Sequence, residues 1–183
     1  MEKLIRFAQA KDIKQIANIY TYFIENTAIT FETVSPTLKE MENRLQETTK
    51  FYPWLVCEDS SGITGYAYAS KHRQREAYQW SVDVTVYLKQ GCGGQGLGTK
   101  LYSELIKLLK QQGFYNAYAG IALPNDASVA LHEKLGFKKV AEYNNVGFKH
   151  GKWWNVGWWE LFLQSSYEKP IAPISIQKLP DVE

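Results

Sequence analysis

Two hydrophobic periods divide the chain into elements: a repeat of two for half-buried strands and one near 3.6 for helices with one apolar face. The short alternating run LIRFA, 4–8, predicts a first strand. In DIKQIANIYTYFIE, Ile13, Ile16, Ala17, Tyr20, Phe23 and Ile24 fall on one helical face, and Asp12 with Gln15 has capping-box spacing. Ser35 followed by Pro36 predicts the N-cap and first turn of a second helix through SPTLKEMENRLQE. WLVCED and ITGYAYAS around SSG read as a hairpin, and YQWSVDVTVYL, β-branched and aromatic, as a central strand over 78–88. TKLYSELIKLLKQQG carries Leu101, Leu105, Ile106, Leu108 and Leu109 on a broad stripe, with Gly113 as its C-cap. A strand at 115–123, a short helix at 125–136 closed by Gly136, and two strands at 137–148 and 153–163 complete the pattern.

Helices early, an antiparallel hairpin, then strand–helix–strand–helix–strands predict a mixed α/β domain over 1–164, with no internal repeat. A tail from Ser165 to Glu183 holds Pro170, Pro173 and Pro180, shows no helical period, and is expected to wrap over the surface or over a neighbouring subunit.

Composition narrows the function classes. At 183 residues, 45% of them hydrophobic, the chain is long and apolar enough for one well-packed core. A net charge of +2, with KHRQR at 71–75 as its longest basic cluster, argues against a nucleic-acid footprint. No apolar run reaches the length of a membrane span, and the opening MEKLIRFAQAKD lacks the apolar stretch of a leader. Cys57 and Cys92 are too few for a disulfide framework, so a reducing cytoplasm is the expected setting. His72, His132 and His150 lack metal-ligand spacing, and no metal is expected.

The chemistry-bearing stretch is QGCGGQGLGTKLY, 90–102, with five glycines between 91 and 98. Gly91, Gly93 and Gly96 satisfy G-x-G-x-x-G behind a strand, but the acidic residue that a dinucleotide site places about twenty positions on is missing from QGFYNAYAG. A Walker A loop is excluded, because Thr99 precedes Lys100. A third reading is a turn of backbone amides feeding a helix start, suited to a diphosphate without a metal. Gly94, Gly96 and Gly98 let their amides approach an anion, and Thr99 adds a hydroxyl. A glycine loop that binds nothing is the plain alternative.

GGQGLGTKLYSELI resembles the coenzyme A diphosphate loop of the GNAT acyltransferases, and LPNDASVALHEKLGF resembles the block that follows it in that family. Together with FYPWLVCED, AYQWSVDVTVY and GFKHGKWWNVGWW, these blocks resemble the phosphinothricin N-acetyltransferase branch over about residues 3 to 163. The resemblance implies a mostly antiparallel mixed sheet with helices on both faces, splayed between strands 79–88 and 115–123 around acetyl-CoA. It places the cofactor against Val86, Leu88, Gly93, Gly94, Gln95, Gly96, Gly98, Thr99, Asn125 and Ser128. Gly93 stands where the family has Gln or Arg, so one side-chain contact is lost there. Asn125 is equally a helix N-cap.

Acetyl transfer to an amine needs a free amine, a stabilised carbonyl oxygen and a departing thiolate. An α-amine, with a pKa near 8, asks for only a modest base. Asp83 is unusual for a strand, and its charge must be solvated, paired or functional. The resemblance implies a general base at this position, usually Glu, and the shorter Asp83 points to a bridging water. It likewise implies catalysis by His132, four residues before the Gly136–Phe137 pair, as partner base or as the acid for the thiolate. Tyr102 reads as core packing. For substrate, the resemblance implies a small amino acid analogue with a second anionic group. The resemblance implies Arg73 and Arg75 as its clamps and Phe31 and Tyr78 as pocket lining, and Thr85 shares the face of Asp83 by period two; the other reading of KHRQRE is a solvated basic turn. Cys92 has no acid–base partner nearby in sequence and is read as an incidental thiol. A non-catalytic acyl-CoA binder, a dinucleotide module and an acetyltransferase acting on a protein or another amine are the rival readings. The run WWNVGWW and the proline tail predict a subunit contact, and the resemblance implies a homodimer.

Overall fold

The computed structural model describes residues 3–165 and 169–179. Seven strands form one sheet: β1 (Leu4–Phe7), β2 (Trp54–Asp59), β3 (Gly62–Lys71), β4 (Ser81–Leu88), β5 (Asn116–Leu123), β6 (Lys138–Lys149) and β7 (Lys152–Phe162). Their order across the sheet is β1-β2-β3-β4-β5-β7-β6. Every neighbouring pair is antiparallel except β4–β5, which is parallel. A parallel pair needs a crossover, and helix α3 (Leu97–Gln112) supplies it.

Strand alternation gives the sheet two apolar faces. Leu55, Cys57, Ala67, Val82, Val84, Ala117, Ala119, Ile121 and Trp159 pack with Leu101, Leu105 and Leu109 of α3, and Phe137 closes that layer beyond helix α4 (Asp126–Lys134). The other face brings Trp54, Val56, Tyr66 and Tyr87 against Ile16, Tyr20 and Ile24 of α1 (Ile13–Asn26) and Met41 and Leu45 of α2 (Leu38–Thr49). Burying these stripes drives the helices onto the sheet, at about 1.5–3 kcal/mol for each large apolar side chain fully buried.

Three local expectations give way to other contacts. The second helix is capped by Thr37 rather than Ser35: Glu40 N donates to Thr37 Oγ1 (3.2 Å) and Thr37 N to Glu40 Oε2 (2.7 Å), a reciprocal box that Ser35 lacks. Asp12 does not pair with Gln15. Its carboxylate turns back to accept from Gln9 N and from Arg6, while Gln15 Oε1 accepts from Ile63 N at the head of β3. The fourth strand begins at Ser81, because 76–78 form a 3-10 turn that brings Tyr78 N onto Arg75 O.

Residues 169–179 of the tail pack on the chain itself. Ile174 N donates to Gln112 O and Ile176 N to Phe51 O, while Gln112 Nε2 reaches Phe51 O and Ile174 O. Trp80 Nε1 donates to Ile171 O, tying this strap to the start of β4. Pro180 lies outside the described residues. Among the described residues no helix is long and apolar enough to cross a membrane.

Asp12 anchors the first strand to the first helix. It is 2% exposed and accepts from Arg6 Nη1 (2.7 Å) and Nη2 (2.9 Å), and Arg6 Nε also holds Glu58. Burial pushes the Asp12 carboxyl up, but the Arg6 hydrogen bonds, the Gln9 amide and the Arg6 charge outweigh it and leave it below the usual carboxylate value. A depressed folded-state pKa contributes stability above the unfolded value, near 3.9, and the contribution fades as pH falls through the folded value. Asp12→Asn therefore costs about 2–4 kcal/mol at neutral pH, and the gap to wild type narrows below about pH 4. Urea unfolding of both proteins across that range is the check.

Candidate active site

The parallel β4–β5 pair is short. Ser81, Val82 and Asp83 pair with Asn116, Ala117 and Tyr118, and beyond Asp83 the two strands part. The opening is a cleft walled by Val84–Tyr87 of β4 and Ala119–Ala122 of β5, with Tyr102, Asn125, Ser128 and His132 also lining it. Thr85 and Val86, paired with β3 on one side, thus have no strand partner on the β5 side, and Asp83 stands at the fork. Leu88, farther along, is packed between Gly65 of β3 and Gly98 of α3.

Beyond the end of β4 the glycine stretch leads into α3. Gly96 is the helix N-cap at φ +73°, a left-handed conformation that favours glycine. Gly93, Gly94, Gln95 and Gly96 are exposed, and Gln95 Oε1 accepts from Lys3 Nζ. The first intrahelical bond from this end is Lys100 N to Gly96 O, so the amides of Leu97, Gly98 and Thr99 have no helical acceptor. Gly98 is glycine for a packing reason: a Cβ there would lie 3.0 Å from Leu131 Cδ2.

Asp83, Thr85 and Tyr87 share the face of β4 that looks toward α1 and α2, by the period of two. Asp83 Oδ1 lies 2.6 Å from His72 Nδ1. Burial raises the Asp83 carboxyl above the ordinary aspartate value, and the His72 hydrogen bond and the charges of His72 and Arg73 offset only part of that rise. The His72 ring stacks on Tyr118 (4.5 Å) and meets Tyr78 and Trp158 edge-on. Arg73 donates to the His72 carbonyl and places its guanidinium 5.6 Å over the Trp158 ring. Arg75 is exposed at the head of the 76–78 turn, and its side chain makes no hydrogen bond or ion pair among the described residues.

His132 is 2% exposed. Its Nδ1 lies 2.7 Å from Ser128 O, which can only accept, so Nδ1 carries the proton and Nε2 accepts from Tyr102 O–H at 3.1 Å. Burial lowers the His132 pKa against the opposing pull of the Ser128 carbonyl, and burial raises that of Tyr102. Tyr102 is therefore more than packing: its hydroxyl joins the cleft wall to His132. Asn125 is the N-cap of α4, accepting from Ser128 N at 3.2 Å, and it also faces the cleft.

A second, open pocket of about 450 Å³ lies beside the cleft, between the α1–α2 loop and β6–β7. Ile29, Thr30 and Phe31 form one side; Gly120, Tyr143, Val146 and Trp158 form the other. Lys149 Nζ donates to Thr30 O and His150 to Thr27 O, holding the loop in place. Gly147 lets the Phe31 ring lie on the β6 backbone; a Cβ there would come within 2.2 Å of it.

Residues 5–158 match the family model for the acetyltransferase (GNAT) domain. The chain belongs to the GNAT acetyltransferase family. It is 38% identical to a phosphinothricin N-acetyltransferase of Streptomyces viridochromogenes over 172 residues, 93% of this chain and 94% of that one. It is 34% identical to an L-methionine sulfoximine/L-methionine sulfone acetyltransferase of Salmonella typhimurium, over 92% of this chain and 97% of the other. A GNAT phosphinothricin acetyltransferase of Sinorhizobium meliloti, solved in complex with acetyl-CoA, superimposes with a TM-score of 0.90 at 34% identity, covering 95% and 96% of the two chains. The GNAT membership carries the sheet, splayed at β4–β5, and the activity of an N-acetyltransferase with acetyl-CoA as donor. Among the described residues no group of three or more His, Cys, Asp or Glu is placed to hold a metal.

Within this GNAT site, Tyr102 and His132 support each other. Tyr102→Phe leaves the buried Nε2 of His132 without its donor and costs about 1–3 kcal/mol of stability. Urea unfolding measures the loss, and Tyr102→Phe behaving as wild type would contradict the bond.

Proposed function

We propose that the chain transfers the acetyl group of acetyl-CoA to the α-amino group of a small amino acid analogue of the phosphinothricin or methionine sulfoximine type, by direct attack in a ternary complex. The observation that carries the reading is the position of Asp83: it is the last β4 residue paired with β5, where the coenzyme's cleft begins. The names of the relatives support the substrate class.

In this reading the diphosphate rests on the amides of 93–99, which replace the side-chain contact that Gly93 lacks, and on Thr99. The pantetheine arm follows the free edge at Thr85, Val86 and Leu88, in the manner of an added strand, and passes Asn125 and Ser128. The amino acid occupies the pocket under Phe31, reaching toward Tyr78 beside His72, its anionic groups toward Arg73 and Arg75 and its amine toward Asp83. His132 is neutral at working pH, because burial opposes its charging. We assign to it and Tyr102 the shaping of the thioester's seat, not the delivery of a proton from an imidazolium.

We also propose a homodimer and a cytoplasmic setting. Trp159 is buried in the chain's own core and the strap at 169–179 lies on its own chain, so the subunit contact is assigned to the outer side of β6–β7. Phe148 and Trp153, with rings 5.3 Å apart, are both exposed there.

Thiol release from acetyl-CoA against a panel of free amino acids, phosphinothricin and methionine sulfoximine tests the function. The expected result is strong stimulation by one or more of these amines and a loss of about 10²–10⁴ in kcat/KM for Asp83→Asn, with acetyl-CoA binding retained. Burial raises the Asp83 carboxyl, so activity falls away on the acid side at a pH above the ordinary aspartate value near 3.9. Binding of acetyl-CoA with no amine-stimulated release would contradict the proposal.

A further inference from the structure

Asp83 is one methylene shorter than the glutamate implied at its position, and the space in front of it holds an imidazole. His72 follows directly on β3, whose Ser70 is paired with Asp83 in the antiparallel register, and its ring turns back so that Nδ1 meets Asp83 Oδ1 at 2.6 Å. An ionised carboxylate can only accept, so Nδ1 carries the proton and Nε2 carries the lone pair. The ring has little freedom: Tyr118 stacks on one face at 4.5 Å, and Tyr78 and Trp158 close the edges at 5.9 and 6.2 Å. Nε2 has no hydrogen-bond partner among the described residues, and the side chain keeps 12% exposure, so the ring is not sealed off. A carboxylate that fixes one imidazole nitrogen while the other stays bare is the arrangement of a base and its orienting group.

We propose that His72 is a catalytic residue of the acetyl transfer: Asp83 holds its Nδ1–H, and Nε2 takes the proton of the substrate amine through one bridging water. Asp83 is then the positioning residue. The proposal rests on the reading of this site as one that acetylates a small amine. The ammonium gives one proton to the water as the water gives one to Nε2, leaving a free amine and an imidazolium next to the Asp83 carboxylate. The amine lone pair forms the C–N bond at the thioester carbonyl. When the tetrahedral adduct collapses, the C–S bond breaks with its electron pair on sulfur. The nitrogen's second proton goes to the thiolate, and the imidazolium returns its proton to solvent. No oxidant or further reactant is needed. The groups facing the ring are Asp83 from β4, the Tyr78 phenol from the 76–78 turn, Tyr118 from β5 and Trp158 from β7, with the Arg73 guanidinium over Trp158.

The test combines chemical rescue with an NMR measurement of the histidine nitrogens. His72→Ala is expected to lower kcat/KM for the best amine of the panel by about 100-fold or more, with the KM for acetyl-CoA unchanged. Added imidazole is expected to restore turnover in His72→Ala and not in Asp83→Asn, where the slot is still filled. A His72→Ala enzyme within about threefold of wild type, or a well-folded one that imidazole leaves inactive, would overturn the proposal. Nitrogen-15 shifts of the wild-type protein provide the second arm. A proton on His72 Nδ1 and a bare Nε2, lost as a fixed tautomer in Asp83→Asn, support the pair; a proton on Nε2 overturns it. That arm decides even if His72→Ala fails to fold. It also separates the two readings: a wild-type enzyme that acetylates none of the amines defeats the substrate assignment alone.

Discussion

A parallel strand pair that stops after three residues is the constraint on which the site depends. Asp83 opposite Tyr118 is its last step. Had β4 and β5 stayed paired to Leu88 and Leu123, the edge at Thr85 and Val86 would be satisfied by the sheet and no cleft would exist. The chain tolerates the opening because α3 and α4 support it from one side. Tyr102 and His132, both buried and bonded to each other, occupy the floor of the gap, and Leu131 packs on Gly98 to hold the loop end of α3 in place. The fork thus exposes a strand edge and a carboxylate in one step of the sheet, the two features on which the proposed transfer is built.

The two histidines show how surroundings divide similar side chains between tasks. His132 meets a carbonyl and a neutral phenol in a buried pocket, and the environment disfavours its charge. His72 meets a carboxylate at one nitrogen and has no hydrogen-bond partner at the other among the described residues. Proton transfer is therefore proposed at the second site and not at the first. The aromatic walls around His72, supplied by Tyr118 and Trp158, then serve to hold its ring in register with Asp83.

Much of this was legible along the chain. Period-two and helical stripes locate the seven strands and four α-helices of the described residues, and the glycine run marks the start of α3, because these signals are local. The errors were also local. Ser35–Pro36 outweighed the complete Thr37–Glu40 box, and the aromatic residues Tyr78 and Trp80 suggested a strand where a turn forms. The His72–Asp83 contact is not legible locally because it crosses a hairpin, its partners eleven positions apart. A signal existed: a carboxylate within a strand needs a partner, and an antiparallel neighbour brings residues near 70 beside it. Tyr102 and His132, thirty positions apart, gave no comparable sign.

Amide hydrogen exchange with and without acetyl-CoA tests the fork most directly. The account predicts that coenzyme slows exchange at those amides of 84–88 that point away from β3 and at 97–99, which have no strand or helix acceptor, and leaves 81–83, already paired with β5, nearly unchanged. Protection confined to any other part of the sheet, with residues 84–88 unaffected at saturating acetyl-CoA, would contradict it.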